Sequence, residues 1–207
     1  NSFPEHYKIY ADKYFTYADI RQPNRNSLLH LDSSVDGVKT GHTEAAGYCL
    51  IASAVRGDMR LISVVMGAAS EKARASESQT LLSYGFRYFE TASLYQAGES
   101  LRQVKIWGGQ HSSLRLGLQK DVILTIPKGT RADLIAEVNL HAEIHAPVGA
   151  GDQLGILTVT LPGGESIEFP IEALNGVQEA GFFSRLWDSI ALFFVKLFGG
   201  DPLGIDD

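Results

Sequence analysis

Cysteine is all but absent. Cys49 stands alone among 207 residues, which excludes an intrachain disulfide and a thiolate metal site. It lies inside the apolar run Tyr48-Cys49-Leu50-Ile51-Ala52, which predicts a small buried hydrophobe rather than a nucleophile. Positive charge is also short: 18 Lys and Arg against 24 Asp and Glu leave a net charge of -6. That balance argues against a nucleic-acid binder, which would show a basic face. There is no block of like charges, no internal repeat and no low-complexity tract. No signal-peptide pattern opens the chain at Asn1, and no compartment is read from that. The most apolar run, Phe182–Phe198, is about 17 residues long and carries Arg185, Asp188 and Lys196, too short and too charged to span a bilayer.

What is present suffices for one or two domains with real cores. Pro4 to Tyr14 has helical character, Phe15-Thr16-Tyr17 suggests a short strand, and Arg21 to Asn26 is a polar loop. Val35 to Thr40 reads as a strand. Gly47 to Val55 and Arg60 to Gly67 are rich in β-branched and apolar residues and flank a turn at Arg56-Gly57-Asp58. Their nearly continuous apolar character predicts cover on both faces. Ser70 to Glu90 follows as a helix, with Leu81, Leu82, Phe86 and Phe89 near helical spacing and Glu71, Lys72 and Glu77 outward. A hairpin followed by a long helix predicts an α+β arrangement, an antiparallel sheet with a helix packed on it.

The pattern changes after Ala92. Short strands are expected at 104–107, 114–118, 122–126, 134–140, 154–161 and 166–174, the last two joined by Pro162-Gly163-Gly164. Such spacing suggests a small all-β sandwich. The expected division is 1–92, 99–178 and a terminal amphipathic helix, 181–199, with the main boundary near Gly98. In that helix Ser184, Arg185, Asp188, Ser189 and Lys196 share one side, and five phenylalanines and Trp187 lie on the other. This suits a helix lying in a membrane interface.

The chemistry concentrates in Lys39-Thr40-Gly41-His42. A K-T-G strand belongs to serine enzymes that open β-lactams or cleave D-alanyl peptides. A strand bordering a cleft can pair with an extended peptide. Gly41 permits close approach. The His42 backbone N–H can serve a developing oxyanion, Lys39 brings a cation beside the hydroxyl chemistry, and Thr40 offers a hydroxyl to a substrate carboxylate. The nucleophile is missing: no serine is followed three residues later by lysine, and none two residues later by asparagine. His141 and His145 have i, i+4 spacing, but H-x-E-x-H is not the zincin order and the segment reads as strand. No metal and no cofactor are expected.

The run Asp36 to Thr43, then Ala46-Gly47-Tyr48 and Met59 to Gly67, resembles the low-molecular-mass penicillin-binding proteins, the D-alanyl-D-alanine carboxypeptidases of bacterial cell walls. Ile20-Arg21-Gln22, Asn24-Arg25-Asn26 and Ser83 to Glu90 carry the same resemblance. It implies part of a serine β-lactamase/transpeptidase-like domain, a β-rich second domain and a membrane-anchor helix at Phe182–Phe198. It also implies attack on the terminal D-Ala-D-Ala bond of peptidoglycan stem peptides by an S-x-x-K serine that β-lactams acylate. By position, Lys39, Thr40 and Gly41 match the third family motif, the His42 amide an oxyanion donor, and Arg25 and Arg74 residues that attract the substrate's terminal carboxylate. The implied place is the periplasmic face of the inner membrane. With the serine motifs absent, the chain by itself is expected to be inactive. The alternative is a non-catalytic, membrane-associated binding or spacing module. A serine β-lactamase fits less well, because those enzymes lack the trailing β-domain and anchor.

Overall fold

The computed structural model describes residues 3–204. The chain divides into two compact units between Thr91 and Ala92. Residues 92–98, ahead of the boundary expected near Gly98, fall in the second unit, and so does the terminal helix.

The first unit opens with a single helical turn, α1 (Pro4–Tyr7), continued as a 3-10 turn, Lys8–Ala11. The expected helix to Tyr14 ends early. Strands β1 (Tyr14–Tyr17) and β2 (Ile20–Pro23) form an antiparallel hairpin, in part where a polar loop was expected. Positive φ at Ala18 and Asp19 closes its two-residue turn, a geometry that Gly or Asn would ordinarily signal and these residues hide. A short helix α2 (Leu28–Leu31) then buries Leu28 and Leu29.

Three strands follow: β3 (Val35–Thr43), β4 (Gly47–Arg56) and β5 (Met59–Ala68). They make one antiparallel sheet in the order β3-β4-β5. Helix α3 (Glu71–Tyr88) packs on one face of it. Ser70 starts that helix by accepting the Ala73 N–H at 3.1 Å, an N-cap of the common kind. The core joins Leu28, Leu29, Val35, Leu50, Ala52, Ala54, Met59, Ala75, Leu82 and Phe86. Each large side chain fully withdrawn from water contributes about 1.5–3 kcal/mol. Leu81, expected inward, is half exposed, and the buried stripe of α3 begins instead at Arg74.

Cover on the second sheet face is only partial: Ser53 there is buried. The inward row Leu50, Ala52 and Ala54 is buried, whereas Ile51, Ile62, Val64 and Met66 on the opposite face are 42–77% exposed among the described residues. Cys49 is half-buried rather than buried. Two polar ties fasten the segments before and after α2 to the sheet. Arg60 reaches Asp36 at 2.8 Å, with the Tyr7 hydroxyl donating to the same carboxylate. Ahead of β3, the Ser34 hydroxyl donates to Asp32 at 2.6 Å, and Arg56 adds a bond at 2.9 Å; together they hold the Asp32 carboxyl below its ordinary range.

The second unit is β-rich. Strands β6 (Phe89–Tyr95), β7 (Ser100–Lys105), β8 (Ser113–Gly117), β9 (Val122–Pro127), β10 (Ile135–Leu140), β11 (Gln153–Thr160) and β12 (Ser166–Ala173) are all present, β6 without a sequence forecast. Five of them form an antiparallel sheet in the order β10-β11-β12-β8-β7, and β6 and β9 pair separately. Alternation along β8 and β11 sends Leu114, Leu116, Leu157 and Val159 into a core with Val104, Ile106 and Ile171. Helix α4 (Phe182–Leu197) closes the unit.

Candidate active-site wall

Strand β3 lies at the edge of its sheet, paired through β4 on one side. The register sets Lys39 opposite Ile51, Thr40 opposite Leu50, Gly41 opposite Cys49 and His42 opposite Tyr48. Lys39, Gly41 and His42 are exposed and Thr40 half-buried. The burial of β3 thus falls along its length: Val35 and Gly37 are anchored in the unit, and the motif end stands in solvent. The Lys39 ammonium donates to the Thr40 carbonyl. The His42 ring lies on the Tyr48 ring, with centroids 4.0 Å apart.

A Cβ added at Gly41 would meet only Cys49 Cβ, at 3.7 Å, an ordinary contact. The backbone there is not in the left-handed region either. The fold itself does not require glycine at this position. Gly47, at the turn into β4, is the reverse case. Its φ is +63° and an added Cβ would approach Gly67 Cα to 3.0 Å.

Arg25 and Arg74 arrive from different elements. Arg25 is exposed in the loop between β2 and α2. Asn26 pins that loop: its side-chain amide donates to the Gly37 carbonyl at 3.0 Å and its carbonyl oxygen accepts the Leu28 N–H at 3.2 Å. Asn26 is 2% exposed, and its role was not read from the sequence, although an asparagine just ahead of a helical turn is a recognisable cap signal. Arg74, expected to face a substrate carboxylate, is 3% exposed. Its guanidinium donates to the Gly41 carbonyl at 3.2 Å, the Arg25 carbonyl at 3.4 Å and Glu71 at 3.1 Å. The structure therefore gathers all six residues into one locale but gives Arg74 backbone partners.

In the second unit, Glu143 receives Lys196 at 2.6 Å, with His145 at 3.8 Å. Lys196 is the main reason that the Glu143 carboxyl lies below its ordinary range. Among the described residues no group of three or more His, Cys, Asp or Glu is placed to hold a metal ion. Helix α4 turns Asp188, Leu192 and Val195 towards the β-unit, where Asp188 accepts the Gly108 N–H at 2.9 Å. Backbone bonds hold both flanks, Ala180 N–H to Gly108 at 2.8 Å and Lys105 N–H to Leu203 at 2.7 Å. Phe182, Phe183, Trp187, Phe193, Phe194 and Phe198 are exposed by half or more of their surface. No helix of the described residues is long and apolar enough to cross a membrane.

An edge strand carrying Lys-Thr-Gly, backed by a hairpin and a long helix, defines part of a serine β-lactamase/transpeptidase-like domain. Residues 1–70 match the family model described as D-alanyl-D-alanine carboxypeptidase, and residues 89–179 match the penicillin-binding protein 5 C-terminal domain. The chain belongs to this family of low-molecular-mass penicillin-binding proteins. It is 44% identical over 198 residues to the D-alanyl-D-alanine carboxypeptidase DacA of Escherichia coli, covering 95% of this chain and 49% of that protein. With the Escherichia coli carboxypeptidase DacC the identity is 41%, over 95% of this chain and 50% of the relative. Among solved structures, penicillin-binding protein 5 from Haemophilus influenzae superposes with a TM-score of 0.79 at 42% identity, covering 86% of this chain and 53% of that one. The chain thus spans about half the length of the curated relatives it matches.

Proposed function

We propose that this chain is the C-terminal part of a serine-type D-alanyl-D-alanine carboxypeptidase, which removes the terminal D-alanine from peptidoglycan stem peptides and is acylated by β-lactams. The observation that carries this reading is the open edge of β3 with Lys39, Thr40, Gly41 and His42 exposed or half-buried along it. In the complete enzyme a serine outside these residues attacks the penultimate carbonyl. The open edge of β3 pairs with the extended peptide, the His42 N–H stabilises the oxyanion, and Lys39 supplies positive potential beside the hydroxyl. Thr40 and the exposed Arg25 meet the terminal carboxylate, arginine through its planar fork. Support also comes from the uncovered apolar face Ile51, Ile62, Val64 and Met66, an exposed patch of the kind that another segment covers.

The same reading seats α4 on a membrane surface, at the periplasmic face of the inner membrane. The supporting feature is the orientation of the helix. It is tied to its own domain through Asp188 and Lys196, and it offers its aromatic face to the surroundings. The β-rich unit then acts as a spacer between membrane and catalytic domain.

A labelled-penicillin gel tests the assignment. The natural polypeptide carrying this segment together with an upstream S-x-x-K serine is expected to give an acyl band and to release D-alanine. Lys39→Ala is expected to abolish the band, and the 207 residues alone to give none. A stable acyl band on the 207 residues would sink the placement of the nucleophile elsewhere. A natural protein that neither takes up penicillin nor releases D-alanine would leave the binding or spacing module as the better reading.

A further inference from the structure

Arg74 is a buried cation with little ionic reason to be buried. Its acidic partner, Glu71, is 68% exposed, so the pair has one end in water. Removing a guanidinium from water is costly unless its donors are met. Here they are met mainly by main-chain oxygens, those of Gly41 and Arg25, with the Tyr48 ring 5.6 Å from the guanidinium carbon. One side chain thus holds two separate segments, the motif strand and the Arg25 loop, by charge-assisted bonds.

The bond to Gly41 has a geometric consequence. A trans peptide is planar, and its C=O and N–H point in opposite directions. The Gly41–His42 peptide is trans, the cis bonds being Gly37-Val38 and Ala146-Pro147. Holding the Gly41 oxygen therefore aims the His42 N–H away from the guanidinium. The ladder to β4 passes this peptide, with His42 opposite Tyr48, and Arg74 adds a charge-assisted hold on its glycine side. Tyr48 adds a second hold, because its ring lies against His42 and beside Arg74.

We propose that Arg74 is a positioning residue: through the Gly41 carbonyl it orients the His42 N–H as an oxyanion donor, and through the Arg25 carbonyl it keeps the Arg25 loop beside the motif strand. This rests on the acyl-transfer reading above. It replaces direct capture of the substrate carboxylate by Arg74.

The test uses the complete natural enzyme, with Arg74→Ala and Arg74→Lys measured for kcat, KM and penicillin acylation rate. Loss of one oxyanion donor costs about 10²–10³ in kcat. Arg74→Ala is therefore expected to lower kcat and acylation by about a hundredfold, with KM changed by no more than about threefold. Arg74→Lys keeps the charge without the planar fork and is expected to fall in the same direction, by about tenfold or more. Should Arg74→Ala fail to fold, Arg74→Lys carries the same comparison. An active parent whose variants raise KM at constant kcat would restore the carboxylate-capture role and overturn this one. Unchanged kcat and KM in both variants would overturn it as well. An inactive parent would overturn the underlying reading, and this inference with it.

Discussion

At the scale of single residues, the motif strand separates what the fold needs from what the open side needs. Gly41 has room for a methyl group, since an added Cβ would meet Cys49 Cβ at an ordinary 3.7 Å. Gly41→Ala in the natural protein is therefore expected to leave stability within about 0.5 kcal/mol. Acylation should nevertheless fall, because the methyl would narrow the approach to the motif strand. A denaturation midpoint measured beside the penicillin acylation rate separates the two. A large loss of stability with acylation retained would show that glycine serves the fold. Lys39, Thr40, Gly41 and His42 were legible in the sequence because four adjacent residues of one strand need no tertiary information to be neighbours. The roles of Asn26 and Arg74 were not legible, because their partners are backbone carbonyls 11 to 49 residues away. A carbonyl has no sequence signature.

At the scale of elements, helix α4 shows how far periodicity reaches. The spacing of its apolar residues predicts a helix with two faces, and the helix is there, Phe182–Leu197. Periodicity does not say which face meets the protein. The usual surface helix turns its apolar stripe inward. Here Asp188 and Lys196 make the polar attachments, Leu192 is buried beside them, and Phe183 and Trp187 remain 83% and 71% exposed. Replacing Phe183, Trp187 and Phe194 together by serine is expected to abolish co-sedimentation with phospholipid vesicles. The circular-dichroism spectrum should be retained, because those side chains pack little within the unit. Undiminished vesicle binding would point to another surface. The neighbouring misreadings have a similar cause. The β1–β2 hairpin was hidden by a turn lacking glycine, and β6 by its position directly after a long helix.

At the scale of the whole molecule, the uncovered sheet face and the half-length match to the relatives point the same way. Val64 is 53% exposed on that face. A charge there costs little in water and much under a packed segment. In the natural protein carrying this segment, Val64→Asp is expected to lower stability by about 1–3 kcal/mol, read from chemical denaturation. An unchanged midpoint would mean that the face stays open to solvent.

The sequence by itself determined the motif strand and its following hairpin, the two long helices, most strands of the second unit, the change to a β-rich pattern after Ala92 and the lack of an S-x-x-K serine. These depend on residues near one another in the chain, whose shared faces follow from periods of two and 3.6. Only the tertiary structure decided that Arg74 faces inward onto the Gly41 and Arg25 carbonyls, that Ile51, Ile62, Val64 and Met66 of the β3–β5 sheet are left exposed, and that α4 shows its aromatics outward. A local pattern specifies which side chains share a face; which face is covered depends on groups distant in sequence, and on how each buried donor or charge can be met.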